Sequence, residues 1–207
     1  SVAGNTVLGE SALDASVSGG NNTAIGNGAL SANTSGNSHT AVGQNSLNLN
    51  TTGNGNTAIG IEALRDNTTG GINVAVGKGA LKLNTTANNN TAVGTNALLL
   101  NTTGTQNVAV GTQSLDASTT SNNNTAVGFD SLTANTTGTQ NTAVGSLSLQ
   151  AITTSSTCSA FGYSALKLTT GGQNSGFGAY ALSTNSSGQQ YTAIGYQSLR
   201  QATTADN

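Results

Sequence analysis

One short unit recurs through the chain at a nearly fixed spacing: Asn-Thr-Ala-Val-Gly, two variable residues, Ala or Ser, Leu, and then Asn-Thr-Thr-Gly. Its glycines are Gly9, Gly26, Gly43, Gly60, Gly77, Gly94, Gly111, Gly128, Gly145, Gly162, Gly178 and Gly195. Ten of the eleven intervals are 17 residues, and the one from Gly162 to Gly178 is 16. A unit this short cannot bury its own apolar face, so the copies must stack and cover one another. The expected fold is therefore all-β: a parallel β-solenoid or flattened β-roll of twelve 17-residue coils, with residues 1–207 forming a single repeat domain. Coils rising about 4.8 Å each would make a rod roughly 50–55 Å long.

Within a coil, the residue before the glycine is always apolar and mostly β-branched or aromatic, from Leu8 and Ile25 to Phe177 and Ile194. That composition suits a half-buried strand. Two residues earlier the chain usually has Thr, with Val at Val74 and Val108. Residues two apart share a strand face, so these two columns are expected to point inward together. The opposite face carries Asn and a small Ala column, which something must approach closely: either a neighbouring chain or another wall of the same coil. Ala58, Ala75, Ala92, Ala109, Ala126 and Ala143 are thus candidate interface positions. Four residues after each glycine comes an unbroken Leu column that includes Leu30, Leu47, Leu64, Leu81, Leu98, Leu115, Leu132 and Leu149. With Val93, Val110, Val127 and Val144 it forms the expected core, each buried Leu contributing roughly 1.5–3 kcal/mol. Asn-Thr-Thr-Gly supplies a second turn, and it also makes a ladder of glycosylation sequons at Asn50, Asn67, Asn84, Asn101 and Asn135. Turn chemistry alone accounts for that motif.

Composition excludes several functions. Charged residues make up 6% of the chain against a typical value of about 25%. The net charge is −2 with no basic patch, so no nucleic-acid partner is expected. No segment is apolar enough for membrane insertion. Strict apolar register argues against low-complexity disorder. The chain contains no Met and no recognisable caps, which suggests a segment of a longer protein whose ends meet flanking domains or other subunits.

No chemistry-bearing constellation stands out, so no enzyme activity, metal or cofactor is expected. The lone His39 sits at the Asn ladder position without a second ligand at metal spacing. Cys158 occupies the same position and looks like a tolerated substitution. The Gly-x-Gly stretches at Gly53 and Gly176 match a dinucleotide-binding pattern loosely, but each falls in the repeat frame with no helix to follow. Six of the seven aromatics lie after residue 160, which marks the coils from about 158 as different. They read as a wider core, or as a junction or binding patch.

Units such as those at 56–64, 90–98 and 141–149 resemble the head repeats of trimeric autotransporter adhesins of the YadA-like kind. They resemble still more closely the repeat arrays of large phage tail-fibre and bacterial surface proteins. The resemblance covers nearly the whole chain. It implies a left-handed roll with three chains about one axis and the Ala column near that axis. It also implies an extracellular, cell-surface or virion fibre that attaches to a surface glycan or protein receptor. Two alternatives are a head-to-tail homo-oligomeric filament and an ice-binding solenoid built on stacked Thr. For the latter, adjacent Thr residues such as Thr51 and Thr52 point to opposite faces of a strand and make a poor flat array.

Overall fold

The computed structural model describes residues 4–15 and 17–201; the outermost residues of the expected 1–207 domain lie outside that range. The described residues contain no helix and twelve three-residue strands. They run from β1 (Thr6–Leu8) and β2 (Thr23–Ile25) through β6 (Thr91–Val93) and β7 (Val108–Val110) to β10 (Ser159–Phe161), β11 (Ser175–Phe177) and β12 (Thr192–Ile194). Each strand pairs in parallel with the next in chain order, giving one twelve-stranded sheet. The molecule is an all-β solenoid in which each repeat makes one coil.

Register follows the repeat: Thr91, Ala92 and Val93 of β6 lie beside Val108, Ala109 and Val110 of β7. The 16-residue interval does not disturb it, since β10 and β11 still align Ser159 with Ser175 and Phe161 with Phe177. The lost residue falls in the turn around Thr169–Gly171, where a deletion spares the alternation of faces.

Pairing extends beyond the strands. The Leu98 N–H donates to the Ser114 carbonyl at 3.0 Å, and the Thr102 N–H to the Thr119 carbonyl at 2.9 Å. Most of the coil contour is thereby zipped to its neighbour, which satisfies backbone groups that three-residue strands alone would leave open. Two tight turns close each coil. In one, the Ala97 N–H donates to the Gly94 carbonyl; in the other, the Asn101 N–H donates to the Leu98 carbonyl. The column Leu sits at the junction with φ between 46° and 55° in all twelve coils. Left-handed backbone costs a non-glycine residue roughly 1–2 kcal/mol. Burying the Leu side chain returns about 1.5–3 kcal/mol, so the residue holds that conformation at a net gain.

The strand faces are the reverse of the expectation from sequence. Ala58, Ala75, Ala92, Ala109, Ala126 and Ala143 are fully buried inside their own chain, so they form no interface. Val93, Val110, Val127 and Val144 lie on the outer face, half-buried, and are not core. A coil of 17 residues encloses a narrow interior. It holds one Leu, two small side chains and two Asn amides per turn, and two further β-branched residues would overfill it. Leu30, Leu47, Leu64, Leu81, Leu98, Leu115, Leu132 and Leu149 are fully buried and run as the central column of that interior.

Candidate interaction surfaces

Two buried Asn ladders fill the rest of the interior. In the first, the residue before each strand bridges to the next coil. Asn73 receives the Asn90 N–H on its Oδ1 at 3.0 Å and donates through Nδ2 to the Ala87 carbonyl at 2.8 Å. His39 performs both tasks with a ring. Its Nδ1 accepts the Asn56 N–H at 3.2 Å, and its Nε2 lies 2.7 Å from the Gly53 carbonyl, where Nε2–H donates. Burial lowers the His39 pKa from its ordinary value, opposed by those two backbone contacts. Cys158 keeps only part of the pattern, and burial raises the pKa of its thiol. Both side chains lie inside the coil.

The second ladder contains Asn50, Asn67, Asn84, Asn101 and Asn135, all fully buried. Asn67 donates to the Asn50 Oδ1 at 2.8 Å and Asn84 to the Asn67 Oδ1 at 2.7 Å. Each of these nitrogens also reaches the carbonyl at the end of its own turn, as Asn101 does to Gly104. The nitrogen that a glycan would occupy is therefore inside the coil and engaged, which removes these residues as glycosylation sites. The ladder has two breaks. Ser118 makes one and Ile152 with Thr169 the other, none of them carrying an amide, and the buried Oδ1 atoms of Asn101 and Asn135, one coil before each break, have no partner.

The threonines of the second turn are also committed. The hydroxyls of Thr51, Thr68 and Thr102 each donate to the carbonyl one coil along. Their neighbours Thr52, Thr69 and Thr103 are exposed. The Thr pairs thus divide between inward-tied and outward-facing residues rather than forming a flat array.

The outer strand face is the first surface able to meet a partner. Its row of Ile25, Val42, Ile59, Val76, Val93, Val110, Val127, Val144, Phe161 and Phe177 is exposed or half-buried along nearly the full sheet. Ile59 and Phe161 are each 39% exposed. Thr and Val flank this row two residues away, and no strand contains a charged residue. Phe161 and Phe177 stack along it with ring centroids 5.2 Å apart.

A second surface lies on the aromatic-rich coils. Tyr180 makes edge contacts with Tyr163 at 5.3 Å and Tyr196 at 6.2 Å. The Arg200 guanidinium sits 5.6 Å from the centre of the Tyr180 ring. Lys167 and Ser183 help line the cleft between these rings. Elsewhere Glu62 bridges Arg65 at 3.1 Å and Lys82 at 2.7 Å, and Arg65 also pairs with Asp66 at 2.6 Å, a half-buried and self-neutralised group. No group of His, Cys, Asp and Glu among the described residues could hold a metal ion.

Comparison with family models, with curated proteins and with solved structures finds no match.

Proposed function

We propose that this chain is a rigid segment of an extracellular or virion-surface fibre that acts in attachment, and that three copies assemble through their outer strand faces. The observation that carries the reading is the continuous uncharged row of Val, Ile and Phe along the outside of the sheet. A band about 50 Å long and about 10 Å wide amounts to several hundred Å², more than scattered surface apolar residues account for. A second copy of the chain suits it because only another rod with the same coil spacing could match the row residue for residue along its length. Resemblance of the repeat to trimeric adhesin heads and tail-fibre arrays favours three chains and a surface location. The role is mechanical and adhesive, with no catalytic step, nucleic acid or membrane insertion. Any receptor is a surface glycan or protein.

Light scattering on the purified chain, with electron micrographs of the same sample, tests this. The expected particle has three times the 20.2 kDa mass of one chain and forms short rods. Replacing Val110 and Val127 together by Asp should reduce the mass to that of one chain. Long filaments would make head-to-tail polymerisation the primary function, and a monomeric unsubstituted chain would overturn the assembly.

A further inference from the structure

We infer that the cleft on the aromatic coils binds a carboxylate-bearing sugar unit of an acidic polysaccharide. The inference rests on the attachment reading for its biological role, whereas binding itself depends only on the cleft.

Three features converge there. The first is charge. The described residues after Asp130 include two cations, Lys167 and Arg200, and no Asp or Glu. Both cations line this one cleft. The preceding part of the chain, residues 4–130, carries six acids (Glu10, Asp14, Glu62, Asp66, Asp116 and Asp130) and three cations (Arg65, Lys78 and Lys82). Among the described residues after Asp130 the cleft therefore gathers both cations with no acid nearby in the chain. The second feature is availability. Among the described residues Arg65 and Lys82 are held in ion pairs, whereas the Lys167 ammonium has no carboxylate partner and the Arg200 guanidinium lies over the Tyr180 ring. A planar guanidinium that retains its donors is suited to bidentate carboxylate binding.

The third is shape and lining. The cleft holds about 230 Å³ and is bounded by Tyr163, Tyr180 and Leu168 together with the Ser183 and Thr184 edge. That is below the roughly 300–1,000 Å³ of sites for drug-sized ligands. It suits one ring-sized unit of a longer polymer that continues over the surface. Tyrosine offers an apolar ring face and a hydroxyl at once, which matches a sugar ring with one C–H face and a polar rim. A purely ionic partner would leave the rings without a role, and a neutral apolar ligand would leave the cations without one. If three chains assemble, three such clefts lie at one level of the rod and add avidity.

Calorimetry of the full chain with trigalacturonic acid and with its methyl ester tests the inference. The acid is expected to bind and the ester to bind at least tenfold more weakly. Lys167→Ala and Arg200→Ala should each weaken acid binding roughly tenfold, and Arg200→Lys should restore part of the loss. No binding of the acid at millimolar concentration, equal binding of the ester, or equal binding of a tetraglutamate peptide would overturn it. Particle mass recorded on the same samples separates this result from the assembly reading, because a monomer that binds the acid sinks only the trimer.

Discussion

At the scale of the residue, His39 shows how strictly the interior specifies hydrogen bonding. Its imidazole reproduces the acceptor and the donor of an Asn amide in nearly the same places. Only the neutral ring can do this, because protonation puts a second N–H where Nδ1 must accept from Asn56. Burial lowers the folded pKa of His39 below its ordinary value. The unfolded chain therefore takes up the proton first as pH falls. The stability contributed by the neutral ring is complete above about pH 6.5 and is lost as pH drops toward the lowered folded value. His39→Asn restores the repeat consensus and should flatten this dependence. Melting midpoints at pH 7.5 and pH 5 check it: the unsubstituted chain should lose more stability than the variant, and equal slopes would sink the argument. Gly94 illustrates a harder constraint. Its φ is +135°, and a Cβ there would lie 2.5 Å from the Gly111 carbonyl oxygen of the next coil. Gly94→Ala should cost at least about 2 kcal/mol in chemical denaturation.

At the scale of the element, the Asn ladder is a structure in its own right, stabilised by continuity from coil to coil. Its break at Ser118 leaves the Asn101 Oδ1 buried and unpaired. Ser118→Asn combined with Ser121→Gly rebuilds Asn-Thr-Thr-Gly and gives that oxygen a donor. Stability should rise by about 1 kcal/mol, the usual net contribution of a buried hydrogen bond gained without a new orphan. An unchanged or lower denaturation midpoint would show that the Ser118–Ser121 hydroxyl contact already compensates. The same elements show what the sequence could and could not reveal. Period, coil count, parallel stacking and the Leu column follow from spacing alone, because a fixed period with one invariant side chain permits little else. The inside of the strand did not follow. Thr-Ala-Val is only three residues long, and its alternation fits either orientation. Apolar size pointed to Val as core, but the narrow coil admits Ala and excludes Val. Asn amides that hydrogen-bond from coil to coil follow from the period, but the burial of these columns does not, because Asn-Thr-Thr-Gly also reads as surface turn chemistry. The cleft was visible only as a late cluster of aromatics, since the approach of Arg200 to Tyr180 spans more than one coil.

At the scale of the whole molecule, every strand pairs only with its sequence neighbours. Such a chain has no long-range closure to lose, and its stability is close to a sum of coil and interface terms. Deleting one full period, residues 95–111, joins Gly94 to Thr112 in the same frame. The new neighbours keep Leu against Leu, Ala against Ala and Val against Val. The shortened chain should fold, with its rod shorter by about 4.8 Å, the spacing of one strand. It should be less stable by one coil's share rather than unfolded. Deleting a single residue within β6 should do far more harm, because it moves the Thr and Val side chains toward an interior that has no room for them. Small-angle scattering reads the length and circular dichroism the fold. If the 17-residue deletion unfolds the chain while the single deletion is tolerated, stacking of equivalent coils is not what holds the rod together.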